Sequence, residues 1–205
     1  MVNELLRIAL KPEGPLQILQ ASLELYLQLV VHTLHACEQI TILLPQGKFV
    51  PMKELGYEAH LCSMALVNAA ASWEGFKGNL VRAIRDIGHS FSEGQLHERL
   101  QQISSYPSII EPLARRDCIV HNLSKVDRDY EREIQSSPLH SGETLTTDLN
   151  YLKEASFAFF NTAAEFVSLL VDEGLLAKEH REAIGEFQRD PVILKTGTMV
   201  VRKKQ

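Results

Sequence analysis

Cysteine is scarce in this 205-residue chain: there are three, Cys37, Cys62 and Cys118, an odd number set far apart. None belongs to a closely spaced metal-type pair, and a reducing, cytoplasmic compartment fits this usage best. There is no Walker loop and no dinucleotide-binding glycine pattern. No serine lies in a nucleophile-elbow sequence. Internal repeats and low-complexity tracts are missing as well. The opening MVNELLRIALKPEGP lacks the charged-then-apolar pattern with a small-residue cleavage site that marks a secretory leader. Positive charge is also short, with a formal net charge of -5 and a pI of about 5.9. Domains that coat nucleic acid by bulk charge are usually basic, so any RNA or DNA contact must come from a local patch.

No stretch reads as a membrane span. The closest, 16–44, is interrupted by Gln17, Gln20, Glu24, Gln28, His32, His35 and Gln39. Steps of three and four gather these into one wet stripe, so the segment reads as a long amphipathic helix packed on protein. Pro15 suits its first turn and Pro45 ends it. His32 and His35, with Cys37 and Glu38 nearby, read as wet-face residues of that helix and not as metal ligands. No metal or other cofactor is expected.

What is present is ordinary globular material, 45% hydrophobic and 23% charged, enough for a single domain over 1–205 with a substantial core. A second long helix is expected over 53–86, with Leu61, Met64, Ala65, Val67, Ala71, Phe76, Leu80 and Ile84 as its apolar set. Trp73 is expected to anchor it to another helix, and Ala69, Ala70, Ala71 and Ser72 to allow close approach. Gly88 reads as its stop. A short helix comes next over 92–103, then one from Ser108 to Asn122 or Leu123, with Pro112 expected to bend it or delay its start. A charged stretch over 125–133 reads as helical and 135–144 as a polar loop. Thr146 or Thr147 looks like the cap of a last long helix ending at Gly174, with Leu149, Leu152, Phe159, Phe160, Phe166, Leu169 and Leu170 facing the core and Phe157 spaced as a core residue. A shorter helix over 177–188 and a small hairpin within the 190–205 tail, around Thr196-Gly197, complete the chain. Arg202, Lys203 and Lys204 make that tail basic. The fold class is all-α, a bundle of about five helices with the long ones antiparallel.

The chemistry concentrates in Arg115-Arg116-Asp117-Cys118-Ile119-Val120-His121-Asn122. Histidine moves protons near neutral pH, and arginine grips phosphate with a planar fork of donors. Cleaving an RNA phosphodiester without a metal needs the 2'-hydroxyl deprotonated, the 5'-oxygen protonated and the phosphorane charge balanced. One helix supplies half of this, because Arg116 and His121, five residues apart, stand roughly 140° apart around the axis. A second copy packed antiparallel across a two-fold axis would gather two arginines and two histidines around one cleft, so a homodimer is expected. Asp117 is expected to orient Arg116 or its counterpart across the axis. Asn122 is expected to fix a histidine tautomer or hold a phosphate. Arg115, Lys125, Arg128 and Arg132 alternate with Asp127, Asp129, Glu131 and Glu133 as a solvated, paired face. Of these, Arg115 and Lys125, nearest the cleft, are the expected RNA contacts.

Arg116-Asp117-Cys118-Ile119-Val120-His121 resembles the Arg, polar residue, three residues, His pattern of the HEPN superfamily. The stretch through Val126-Asp127-Arg128-Asp129-Tyr130, and the later Gly142-Glu143-Thr144-Leu145-Thr146-Thr147-Asp148-Leu149, are similar to segments of its prokaryotic members. Asparagine is commonest there where this chain has Asp117. The resemblance implies an all-α, dimeric, metal-independent endoribonuclease with Arg116 and His121 catalytic and Asp117 supporting. It also implies a toxin–antitoxin or defence setting, with an antitoxin or regulatory protein as partner. Some members are inactive, which leaves a second expectation: a non-catalytic helical module for nucleotide binding, protein interaction or dimerisation.

Overall fold

The computed structural model describes residues 56–181 apart from residue 179. Expectations for the helix over 16–44, for His32, His35, Cys37 and Glu38, and for the tail with its hairpin and basic residues lie outside the described residues. So does most of the helix expected over 177–188.

Five helices occur among the described residues: α1 (Tyr57–Asp86), α2 (Glu93–Leu100), α3 (Pro107–Asn122), α4 (Arg128–Glu133) and α5 (Leu149–Asp172). No strand accompanies them there; a single antiparallel bridge joins Lys125 to Thr144. The fold is the expected all-α bundle. α1, α3 and α5 pack on one another, α2 lies on α5, and α4 lies on α3.

Local chemistry explains the boundaries. Gly88 (φ 92) and Gly174 (φ 73) take the left-handed backbone just past α1 and α5, where a side chain would be strained. Ser92 forms a capping box with Gln95 at the start of α2. That helix stops at Leu100, sooner than expected, because the next amides tighten onto carbonyls three residues back, Gln102 to Arg99 and Ile103 to Leu100. Pro107 occupies the first turn of α3, and Pro112 sits within the helix without ending it. Its missing N–H cannot donate to the Ser108 carbonyl, and its ring is buried. The charged stretch is helical only from Arg128, since Lys125 is held in the bridge instead.

The cap of α5 is Asp148, not Thr146 or Thr147. Its carboxylate accepts the Tyr151 N–H at 2.7 Å, while Thr147 is wholly buried and the Thr146 carbonyl is taken by Arg115. Asp148→Ala should cost about 1 kcal/mol, a drop of about 2–4 °C in Tm for a domain this size. A melting curve that does not move would remove the cap from the account.

The main core is built from Trp73, Phe76, Leu80 and Ile84 of α1, Ile109 of α3, and Leu152, Phe159, Phe166 and Leu170 of α5. Trp73 is completely covered, with ring centroids 5.8 Å from Phe76 and 6.2 Å from Phe159, as an interhelical anchor should be. Met64 and Ala71, expected in this core, are exposed, because they share the outer face of α1 with Asn68 and Gly75. Phe157 is half-buried. α5 is long and apolar enough to cross a membrane by length and composition alone; its Phe159, Phe166 and Leu170 are covered by protein.

A smaller core lies under α3, where Ala114 and Cys118 meet Val126, Tyr130 and Leu145. The other end of α3 is held by Glu165 of α5, which accepts bonds from the Ser104 and Ser105 hydroxyls and the Ser105 N–H. Partial burial raises the pKa of that carboxyl, but these donors outweigh it and hold Glu165 below the usual carboxylate range. α3 is therefore fastened before its first turn and again along its inner face.

Candidate functional site on the third helix

Helical periodicity divides α3 into two faces. Ile109, Pro112, Ala114, Arg115 and Cys118 are buried. Leu113 and Arg116 are half-buried, and Asp117, Val120 and His121 are exposed on the other side. Val120 and Asp117 lie between Arg116 and His121 on this outer face, which agrees with their angular separation of roughly 140°.

Arg115 corrects the sequence expectation. Expected on a solvated face as an RNA contact, it is only 9% exposed. Its Nε donates to Glu111 Oε1 at 2.9 Å, its Nη2 pairs with the same oxygen at 2.8 Å, and its Nη1 donates to the Thr146 carbonyl at 2.8 Å. The guanidinium also lies 4.1 Å from the centroid of the Tyr151 ring. All three nitrogens are thus engaged within the subunit, and the fork is not presented to a phosphate.

Glu111 is the centre of this arrangement. Besides Arg115, it accepts the Tyr130 hydroxyl at 2.7 Å and the Tyr151 hydroxyl through its other oxygen. The network joins α3, α4, α5 and the loop before α5. Burial first, then the neighbouring Glu111 carboxylate, push the Tyr151 hydroxyl far above the ordinary phenol range. The same causes push Tyr130 up to about 12. Burial lowers the affinity of Arg115 for its proton, but Tyr151 and Glu111 reverse this, and the net shift is upward.

These shifts couple the stability of the network to alkaline pH. A phenol whose folded pKa lies above its unfolded value near 10 contributes stability that is complete below pH 10. That stability is lost as pH rises towards about 12, because the unfolded chain gives up its proton first. Thermal stability should fall between pH 10 and about 12 in the native protein, and the fall should be shallower in Tyr130→Phe. Parallel curves for the two proteins would contradict the network.

Arg116 is less consumed. Its Nη1 pairs with Asp117 Oδ1 at 3.2 Å within the same subunit. Its Nε is buried and makes no hydrogen bond. His121 is exposed and has no hydrogen-bond partner among the described residues. Asn122, expected to serve a histidine or a phosphate, instead donates its side-chain N–H to Asp127 Oδ2. Lys125 is exposed, its backbone bridged to Thr144. Burial pushes the Cys118 thiol up, partly offset by the Asp127 backbone N–H, so this neighbour of the motif is a packing residue and not a nucleophile. No three His, Cys, Asp or Glu side chains among the described residues come together as metal ligands.

The backbone beyond the motif is unusual. Leu123 (φ 53) and Ser124 (φ 63) both take the left-handed conformation, which costs side-chain-bearing residues about 1–2 kcal/mol each. Leu123 is 87% exposed and Val120 49% exposed, so two apolar side chains flank the exposed His121.

Sequence reading missed Glu111, Asp127 and Tyr151. The four-residue spacing of Glu111 and Arg115 was a usable signal, since such pairs meet on one helix face. Nothing local pointed to Tyr151, forty residues from Glu111 along the chain. Comparison of the chain with family models, with curated proteins and with solved structures returns no match.

Proposed function

We propose that this chain is a HEPN-type, metal-independent endoribonuclease that works as a homodimer. The observation that carries the reading is the division of labour between adjacent arginines. Arg115 is spent on the fold, whereas Arg116 and His121 stand on the outer face of the same fastened helix. An arginine whose side chain keeps 27% of its surface in water, and a histidine with no structural task among the described residues, are groups available for chemistry.

In this reading His121 takes the proton of the ribose 2'-hydroxyl or returns one to the leaving 5'-oxygen. The 2'-oxygen forms a bond to phosphorus, the bond to the 5'-oxygen breaks, and a 2',3'-cyclic phosphate and a 5'-hydroxyl result. Arg116, aimed by Asp117, balances the charge on the phosphorane. The second copy supplies the other arginine–histidine set. Lys125 remains the RNA-contact residue in this scheme; Arg115 does not. A toxin–antitoxin or defence role, in the cytoplasm, with a restraining partner protein, belongs to the same proposal. The test is incubation of the purified protein with RNA in EDTA, with analysis of the new 3' ends. Cleavage to cyclic phosphate supports the reading, and intact RNA rejects it.

Exposure of Val120 and Leu123 supports the dimer, since an apolar side chain in strained backbone gains nothing from water. Leu123→Asn suits the left-handed backbone and should leave the Tm of the dissociated subunit, read at high dilution, unchanged or higher. The same change should weaken self-association by about tenfold or more, the loss of about 1.5–3 kcal/mol of buried leucine. Sedimentation across a concentration series reads both states, and unchanged association would exclude Leu123 from the interface.

The Arg116–Asp117 ion pair at 3.2 Å favours a second reading, because the anion competes with phosphate for the guanidinium. On that reading the same face serves a non-catalytic dimerisation or protein-interaction module.

A further inference from the structure

His121 lies in the last turn of α3, where helices fray unless something ties them. Here the chain reverses immediately afterwards through two left-handed residues, Leu123 and Ser124. Backbone bonds hold part of this turn: Ser124 N–H to the Cys118 carbonyl at 3.0 Å, Lys125 N–H to the Asn122 carbonyl at 3.0 Å, and Leu145 N–H to the Ser124 carbonyl at 2.7 Å. One side chain, that of Asp127, ties the end of α3 to the start of α4.

We propose that Asp127 is a positioning residue for His121, a role that rests on the ribonuclease reading. Its two carboxylate oxygens have different tasks. Oδ1 accepts the Tyr130 N–H at 2.8 Å and caps α4. Oδ2 accepts the side-chain N–H of Asn122, the residue after His121 and the last of α3. Tyr130 in turn donates its hydroxyl to Glu111 at 2.7 Å, three turns earlier on α3. Glu111, Asn122, Asp127 and Tyr130 therefore close a loop that straps α4 along the segment carrying Arg116 and His121. Both carboxylate oxygens are occupied inside the subunit, so Asp127 acts through Asn122 and does not touch the substrate.

Asn122→Asp tests the strap alone. Oδ1 of Asp127 can still accept the Tyr130 N–H and cap α4. The new carboxylate then faces Oδ2 of Asp127, acceptor meets acceptor, and rotation of either group supplies no donor. Expected are an unchanged circular dichroism spectrum, a kcat for RNA cleavage lower by about tenfold or more, and a KM within about twofold, because a misplaced general acid–base slows chemistry more than binding. Combining Asp127→Asn with Asn122→Asp restores the bond with donor and acceptor exchanged, and kcat should recover to within about threefold of the native protein. A purely structural role would not produce this recovery.

Amide hydrogen exchange at His121 supplies a readout without RNA. It should speed up by about tenfold or more in Asn122→Asp and return to native rates in the double variant. If the native protein cleaves RNA and Asn122→Asp cleaves equally fast, or the double variant stays slow, the proposal is overturned. If no protein cleaves RNA, the ribonuclease reading fails, and with it any catalytic role for Asp127. Exchange then still tells whether Asp127 holds the turn: rates equal in native and Asn122→Asp proteins would overturn the strap as well.

Discussion

His121→Ala is expected to lower RNA cleavage by about a thousandfold while leaving the melting temperature and helical content unchanged. The size follows from losing a positioned proton-transfer group, for which the usual range is about 10²–10⁴. The unchanged stability follows from the side chain's place on the exposed face, with no hydrogen bond among the described residues. Arg116→Ala should cost about 10²–10³ through the lost stabilisation of the phosphorane. Arg116→Lys should recover little of that, since an ammonium cannot reproduce a planar fork. Rates are read in EDTA with a fluorescent RNA, alongside a thermal melt of each variant. A His121→Ala protein that cleaves at the native rate would remove the imidazole from the chemistry. One that melts earlier and loses activity in proportion would make the residue structural.

Glu111→Ala is expected to destabilise the fold strongly. It strands the Arg115 guanidinium, which is 9% exposed as a residue, and removes the acceptor of the Tyr130 and Tyr151 hydroxyls. Breaking one side of a buried pair costs about 3–5 kcal/mol. The carboxylate of Glu111 keeps about a quarter of its surface in water (26%), which places the expected value at the low end, about 3 kcal/mol. For a chain of this length that is a fall of about 6–12 °C in Tm. Glu111→Gln should lose less, because an amide oxygen still accepts one hydroxyl. Arg115→Met combined with Glu111→Leu should recover much of the loss, as apolar replacements of buried pairs often do. Chemical denaturation followed by circular dichroism distinguishes these cases. A Glu111→Ala protein within about 1 kcal/mol of native would show that the network contributes little to stability.

The helical skeleton was legible in the sequence because its signals are local. Gly88 and Gly174 mark helix ends through backbone conformation, Ser92 through capping, and Pro107 through its fixed φ. Periodicity also placed Phe159, Phe166 and Leu170 inside. It placed Arg116 and His121 on one helix, where Arg116 is half-buried and His121 is exposed. Arg115 was misjudged because charge alone argues for solvent, whereas its partners Thr146 and Tyr151 come from beyond the α4 turn. Asp148 was missed as a cap because two threonines precede it, and only tertiary packing decides that Thr147 is buried. Met64 and Ala71 fit an apolar helix face equally well in sequence, but no described helix covers that side of α1. Asp127 looked like one member of an alternating charged run; its partner Asn122 became visible only when the turn at Leu123 folded the chain back.

The central claim is that paired subunits cut RNA without a metal by means of Arg116 and His121. The most direct measurement incubates the purified native protein and His121→Ala with RNA in EDTA and identifies the 3' ends of the fragments. The account predicts 2',3'-cyclic phosphate ends, made by a dimeric native protein and not by the variant. RNA left whole by the native protein, or cut equally by both proteins, would contradict it.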